Sequence, residues 1–353
     1  MLKHNFSAGP CVLPQEVFKK AAAAVLNFND LSILEISHRS KDFISVMEKA
    51  QSLALEHLGL TDKGYKAIFL GGGASMQFLM VAYNLLENKA AYLNTGTWSD
   101  KAIKEAKMFG EVVEVASSKA DNYNHIPKGY VIPTDVDYFH FQTNNTIFGT
   151  QLQYTPDVSV PLICDMSSDI FSRQRDFEKY DLIYAGAQKN MGPAGSTLIV
   201  VKEEILGRVS RQIPSMLDYR VHISKESMFN TPPVFPIYVS MLTLEWLKNN
   251  GGIDAIEKHN NQKAALVYNE IDRNPLFKGF VTHKEDRSMM NATFMLEDDA
   301  HATAFDSLWK EAGINGLNGH RSVGGYRASM YNALSLESVQ ALVEVMQQLE
   351  KKA

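Results

Sequence analysis

The chain has 353 residues, 45% hydrophobic and 21% charged, with a formal net charge of −5. That length can bury a large core and suggests two domains, the composition is ordinary for a soluble globular protein, and the charge leaves no basic footprint for nucleic acid. The opening Met1-Leu2-Lys3-His4-Asn5-Phe6-Ser7 lacks an apolar signal core, no run reaches the length of a membrane span, and two cysteines, Cys11 and Cys164, are too few for a disulfide framework or a thiolate metal site. A reduced, cytoplasmic protein without a metal or a membrane partner is the expectation.

The first dozen residues read as a strap that packs on a smaller C-terminal domain. Short apolar runs then alternate with helical patterns. Ala67-Ile68-Phe69-Leu70, Ala91-Tyr92-Leu93, Val112-Val113-Glu114-Val115, Tyr138-Phe139-His140-Phe141, Pro161-Leu162-Ile163-Cys164, Leu182-Ile183-Tyr184 and Thr197-Leu198-Ile199-Val200-Val201 read as strands, with helix-like segments at 74–86 and 100–109. Such alternation predicts an α/β domain, its mostly parallel sheet covered by helices on both faces. A long helix is predicted over 234–249, after Pro232-Pro233 and before Gly251-Gly252. Helices near 255–274, 302–312 and 336–351, with strands near 279–282 and 292–296, then suggest a smaller α+β domain. The boundary falls near residue 254, giving a large domain of 14–254 and a small one of 1–13 plus 255–353.

Ligands of doubly wound sheets gather at the carboxyl ends of the strands, and four features fall there. The first is Lys189, in Tyr184-Ala185-Gly186-Ala187-Gln188-Lys189-Asn190-Met191-Gly192-Pro193-Ala194-Gly195. A lysine at a strand end commonly snorkels to water; a desolvated one loses its proton more easily and condenses with a carbonyl. Asp165 closes a strand 24 residues earlier, about one strand–helix–strand unit. It is either a helix cap or a carboxylate set beside that amine on the neighbouring strand, where it could hold a pyridine nitrogen protonated. The second feature, Gly71-Gly72-Gly73-Ala74-Ser75, is either a tight turn or an anion cradle at a helix start. It matches neither dinucleotide nor P-loop patterns. In the third, Thr95-Gly96-Thr97-Trp98-Ser99, the tryptophan either packs or stacks on a flat ligand. The fourth is a set of cations: His38-Arg39, His320-Arg321 and Arg327. Singly they read as solvated surface groups; together they suit a dianion plus a carboxylate. An amine, an acid, an aromatic and a phosphate cradle jointly specify pyridoxal 5'-phosphate.

Asn5-Phe6-Ser7-Ala8-Gly9-Pro10, Ser37-His38-Arg39-Ser40-Lys41-Asp42-Phe43, the segment 71–78, the lysine motif 184–195, Ser227-Met228-Phe229-Asn230-Thr231-Pro232-Pro233 and the segment 319–329 resemble the phosphoserine aminotransferase family. These are class V aminotransferases of the type I pyridoxal-phosphate fold, and the resemblance runs from the first residues to the last helix. It implies that Lys189 binds the cofactor covalently, Asp165 pairs with its pyridine nitrogen, Trp98 stacks on the ring and Thr146 bonds the phenolic oxygen. Ala74, Ser75 and Gln188 would hold the cofactor phosphate, helped by Asn230 and Thr231 from the partner subunit of a homodimer. His38, Arg39, His320 and Arg321 would meet the substrate phosphate across the interface, and Arg327 the α-carboxylate.

The implied reaction moves an amino group from L-glutamate to 3-phosphohydroxypyruvate, giving O-phospho-L-serine and 2-oxoglutarate in serine biosynthesis. The resemblance leaves open whether the related four-carbon keto acid of pyridoxine synthesis is also used. Relatives with arginine in place of Ser75, or serine in place of Ala8, put side-chain contacts at those positions in question. Three rival readings are a class V aminotransferase for a small non-phosphorylated substrate, a cysteine desulfurase and a cofactor-binding regulator. The paired His-Arg motifs disfavour the first, the lack of a late-loop cysteine the second, and the complete set of lysine, acid and substrate cations the third.

Overall fold

The computed structural model describes residues 3–353. A short strand β1 (His4–Asn5) leads into helices α1 (Gln15–Leu26) and α2 (Lys41–His57). There follow β2 (Tyr65–Leu70), α3 (Gly73–Leu85), β3 (Lys89–Asn94), α4 (Thr97–Ala106), β4 (Glu111–Ser117), β5 (Phe139–Gln142), β6 (Leu162–Asp165), β7 (Leu182–Gly186) and β8 (Thr197–Lys202). Strands β2 to β8 form one seven-stranded sheet in the order β2-β8-β7-β6-β5-β3-β4. Only β8 runs against its neighbours. All seven expected strands are present, and the mostly parallel α/β architecture is as expected. Because β8 alone is reversed, β2, β3, β5, β6 and β7 deliver their carboxyl ends to one edge.

Side chains alternate across this sheet, as the two-residue period of a strand requires. Phe69, Phe141, Cys164, Ile183 and Val200 face a core shared with α1, α2 and α6 (Val234–Asn249). Ile68, Tyr92, Ile163, Tyr184 and Ile199 face the opposite core, under α3 and α4. Helix α6 has the predicted bounds and is buried on most of its circumference, Ile237–Leu244 being buried throughout. A helix apolar all round belongs inside a large core.

Several elements differ from expectation. Helices α1 and α2 and the short α5 (Tyr219–Ser224) were not anticipated. Helix α2 nevertheless carries its own signals. Ser40 accepts from the Phe43 N–H at its start, and Phe43, Val46, Met47, Ala50, Leu53 and Ala54 are buried along one face. Helix α4 begins at Thr97 rather than Asp100, because the turn before it is clamped. The Asn145 side chain donates to the Thr95 carbonyl, and a Cβ on Gly96 would lie 2.1 Å from that amide nitrogen. Only glycine lets the chain turn there at once into the helix.

The remaining chain builds a second core. Helices α7 (Gly252–Arg273), α8 (Ala302–Glu311) and α9 (Leu336–Lys352) cover an antiparallel sheet of order β12-β10-β9, with β9 at Phe277–Gly279, β10 at Asn291–Leu296 and β12 at Tyr326–Ser329. Strand β9 precedes its expected place, and β12, hidden behind a glycine-rich loop in the sequence, was not foreseen. Phe277, Phe294, Phe305 and Tyr326 meet edge-on or stacked, the closest ring centroids 4.8 Å apart. Phe6 joins this core, and β1 pairs in parallel with β11 (Ile314–Asn315). Helix α7 serves both cores: Ile253 and Ile256 belong to the first, and Ala264, Val267 and Ile271 to the second.

Two buried polar devices sit where the cores meet. Asn332 accepts from the Asn260 amide, which also donates to the Ser172 carbonyl, while Asn332 donates to the Phe171 carbonyl and its N–H to Asn190 Oδ1. Lys263, fully buried, donates to the carbonyls of Met330 (2.9 Å) and Tyr331 (2.7 Å). Burial pushes the Lys263 amine down to about 7. The unfolded chain then holds a proton that the folded one lacks between about pH 7 and the ordinary lysine value of 10.5. Stability attributable to this group therefore rises with pH across that window, is complete above it, and is lost as pH falls through 7. Urea unfolding at pH 7, 8 and 9 should show a stability gain in the wild type that Lys263→Met lacks, worth on the order of 2–4 kcal/mol. Equal slopes for the two proteins would show that the amine stays charged when buried.

Candidate active site

At the common carboxyl edge, Gly73, Ala74, Ser75, Trp98, Asp165, Ser167, Gln188 and Lys189 line one cavity of about 140 Å³. They arrive from four strand ends, those of β2, β3, β6 and β7. Asp165 is the last residue of β6, and β6 pairs in parallel with β7, Asp165 opposite Tyr184. The chain leaving β7 turns back through Gln188 and Lys189, so acid and amine come from adjacent strands. Lys189 Nζ donates to Thr146 Oγ1 at 2.7 Å and lies 5.8 Å from the Trp98 ring centroid. The lysine turn is fastened from both sides: the Cys11 thiol donates to the Lys189 carbonyl, and the Asn190 side chain donates to the Ile170 carbonyl at 3.0 Å.

The electrostatics follow from exclusion of water. Burial pushes the Lys189 amine down to about 8; the Asp165 carboxylate opposes this and the Arg327 guanidinium adds to it. Burial likewise raises the Asp165 carboxyl, against the Lys189 charge and hydrogen bonds from Ser167 and Gln142. Asp165 Oδ1 accepts from the Ser167 N–H at 2.9 Å and Oδ2 from Gln142 Nε2 at 3.3 Å. A turn rather than a helix follows β6, so Asp165 is not a helix cap; it holds that turn through the Ser167 N–H and shares the cavity with the amine.

The glycine turn is open toward the cavity. Gly72 and Gly73 have φ of 93° and 67°, and nothing lies within 4 Å of a Cβ placed on Gly73. Helix α3 has no side-chain cap, and the N–H groups of Gly73, Ala74 and Ser75 have no acceptor among the described residues. Free amides at the positive end of a helix suit a phosphate. An amine poised to lose its proton, a buried carboxylate and this cradle together fit pyridoxal phosphate.

Arg327, on β12, donates to the Thr146 carbonyl at 3.0 Å, and its Nε is buried without a partner among the described residues. Across the mouth lies the loop carrying His320 and Arg321. His320 shares a hydrogen bond with Ser322 (2.7 Å); burial pulls its imidazole down, and Arg327, Arg321 and Lys101 add to that. Lys101 sits 4.5 Å from the Trp98 ring centroid. None of Lys101, His320, Arg321 or Arg327 has a carboxylate within ion-pair distance among the described residues. His38, Arg39, Asn230 and Thr231 do not line this cavity. Asn230 and Thr231 instead border a second, apolar hollow of about 200 Å³ with Gly71, Met76, Met216 and Pro233. His38 is buried with Nε2 unpartnered among the described residues, and Arg39 is exposed.

Lys101, Gln142 and Ser167 were not singled out from the sequence. Gln142 had a readable signal, being a polar residue at the carboxyl end of an apolar strand. Lys101 had none, since an exposed helix lysine is commonplace. Among the described residues, no group of His, Cys, Asp and Glu is arranged to hold a metal ion, and no helix is long and apolar enough to cross a membrane.

Residues 3–342 match the family model described as aminotransferase class-V. The chain is 68% identical to the phosphoserine aminotransferase of Flavobacterium psychrophilum, covering 100% of both chains, and 57% identical to that of Parabacteroides distasonis, again over 100% of both. Among solved structures it resembles phosphoserine aminotransferase from Bacillus circulans subsp. alkalophilus, with TM-score 0.95, 41% identity and 99% of each chain covered. It also resembles PLP-bound phosphoserine aminotransferase from Trichomonas vaginalis, with TM-score 0.93, 36% identity, and 98% of this chain and 100% of that one covered. Likeness of this extent along the whole chain, over a cavity with this arrangement of lysine, acid and glycine turn, places the chain in the class V aminotransferases, as a member of the phosphoserine aminotransferase family.

Proposed function

We infer that the chain transfers an amino group from L-glutamate to 3-phosphohydroxypyruvate, giving O-phospho-L-serine and 2-oxoglutarate, with pyridoxal 5'-phosphate as cofactor. The observation that carries this reading is Lys189 Nζ, buried beside Asp165 in a cavity that opens onto unpaired amides of α3. When bound, pyridoxal phosphate supplies an aldehyde that captures amines and a ring that accepts electrons.

The protein's own part is to hold groups and move protons. Lys189 provides the amine for covalent attachment. With its proton affinity lowered to about 8, Nζ gives up and regains a proton near neutral pH, as base and then acid for the transferred α-proton. Asp165 offers a fixed negative charge toward the position of a ring N–H. Trp98 forms a flat wall, Thr146 presents a hydroxyl, and Ala74, Ser75 and Gln188 border the phosphate cradle. Arg327, with a free buried Nε, suits the α-carboxylate.

His320 and Arg321, without carboxylate partners among the described residues, suit the substrate phosphate, a group of roughly −1.5 to −2 charge by analogy with phosphoserine. His38, Arg39, Asn230 and Thr231 are read as serving the site of a partner subunit in a homodimer. Support comes from their position away from the chain's own cavity and from the exposed Met76 and Met216 that line the second hollow beside Asn230 and Thr231. The division into domains of 14–254 and of 1–13 with 255–353 is supported by the two cores, with α7 as the bridge between them.

The reading is tested by the visible spectrum of the purified protein, which should change on adding L-glutamate and revert with the phosphorylated keto acid. No response to glutamate would overturn it. In cofactor-free protein, Lys189 should be acylated with a midpoint near pH 8 rather than 10.5, read by peptide mass spectrometry, and Lys189→Ala should lower turnover by about 10²–10⁴-fold or more. Arg321→Ala should raise KM for 3-phosphohydroxypyruvate about 10–100-fold, the cost of one charge-assisted bond, with little change for L-glutamate; equal effects on both would make the residue structural. Mixing Lys189→Ala with Arg39→Ala subunits should restore activity that neither has alone, because hybrid dimers contain one intact site. Absence of complementation would place Arg39 in its own subunit's site.

A further inference from the structure

Asp165 is commonly viewed through the groups it faces, yet its back is held by a chain of side chains closed off from water. Gln142 and Ser99 are both buried. The Thr95 N–H donates to Ser99 Oγ at 3.4 Å, Ser99 Oγ donates to Gln142 Oε1 at 3.0 Å, and Gln142 Nε2 donates to Asp165 Oδ2 at 3.3 Å. The direction of this chain is set from its carboxylate end, because an ionised Asp165 only accepts, while the Ser99 hydroxyl can donate to the Gln142 carbonyl oxygen at the other end. That fixes the amide so that its NH2 group, not its oxygen, meets the carboxylate. A flipped amide would set two oxygens against each other at the bottom of a dry cavity.

The other carboxylate oxygen is held independently. Ser167 donates to it through its N–H, and Ser167 Oγ in turn accepts from the Gly186 N–H at 3.1 Å, on the strand that leads to Lys189. One oxygen is therefore tied to the β7 side and the other, through Gln142, to α4.

We propose that Gln142, locked by Ser99, is a positioning residue for Asp165, fixing the plane of the carboxylate and the edge it presents to the cavity. The proposal rests on the reading that Asp165 serves the ring nitrogen, and extends it to residues two steps from the ring. Such a device is needed because Asp165 is buried and its negative charge has few partners. Those facing it are the Lys189 amine from the turn after β7, the Ser167 hydroxyl and N–H from the turn after its own strand, and Tyr184 from β7. Of these, only Lys189 is a cation, and Lys189 must lose its charge to act as a base. A donor that cannot titrate, such as an amide, holds the carboxylate steady through that change.

The test begins in the cofactor-free protein, where the Asp165 carboxyl carbon can be followed by ¹³C NMR against pH and assigned with Asp165→Asn. In Gln142→Leu the Asp165 midpoint should move up by about one to two pH units, the loss of one bond to a charged group. Ser99→Ala, a milder change that leaves the amide free to rotate, should move it in the same direction by less. The double variant should match Gln142→Leu alone, because both act through one bond. In loaded enzyme, Gln142→Leu should lower kcat about tenfold or more for both half-reactions with KM little changed, a split that a loosened fold would not give. An unmoved Asp165 midpoint in both single variants, or shifts that add in the double variant, would overturn the proposal. A moved midpoint with unchanged kcat would uphold the hold of Gln142 on Asp165 and instead remove Asp165 from the chemistry.

Discussion

A desolvated amine set beside the Asp165 carboxylate is the constraint on which the rest of this structure depends. In water Lys189 would stay protonated and be a poor nucleophile. Burial lowers its hold on the proton, and Asp165 limits how far that goes. The two can meet only because β6 and β7 are neighbours that run in the same direction. A single reversed strand, β8, sits on the far side of β7 and leaves that edge intact. Sheet topology thus reaches the chemistry through one pair of adjacent strand ends.

The substrate side follows a different logic. Phosphate and carboxylate recognition requires positive charge held without internal partners, which a folded chain tends to neutralise. Here Lys101, His320, Arg321 and Arg327 stand together without a carboxylate in reach among the described residues, and the other three cations add to burial in lowering the proton affinity of the His320 imidazole. An anion arriving among them would ease that repulsion on His320.

Much of this was legible in the amino-acid order, for identifiable reasons. Strands buried on both faces write themselves as continuous apolar runs, and all seven were visible. Lys189 and Asp165 stood out because charge at the end of such a run is unusual. Helix α2 carries its own signals in Ser40 and its buried stripe, but it lies ahead of the strand–helix alternation that marks the rest of the sheet domain. The start of α4 was misplaced for a better reason: the clamp between Asn145 and Thr95 joins residues 50 positions apart, and nothing local announces it. The bond from Ser99 to Gln142 is hidden in the same way, joining residues 43 positions apart, although Gln142 itself was readable as a polar strand end. His38, Arg39, Asn230 and Thr231 lie away from the cavity that Lys189 lines.

The buried amides of Asn190, Asn260 and Asn332 have a consequence for how the protein fails. Asn190 follows the attachment lysine, Asn260 lies on the helix common to both cores, and Asn332 follows the last strand of the smaller sheet. Prising the two bodies apart takes at least one partner from each of the three at once and removes the Cys11 bond to the lysine turn, which the Asn190 bond to Ile170 alone then holds. Heating should therefore find no lingering species with one body melted and the catalytic loop still formed; competence and architecture end together.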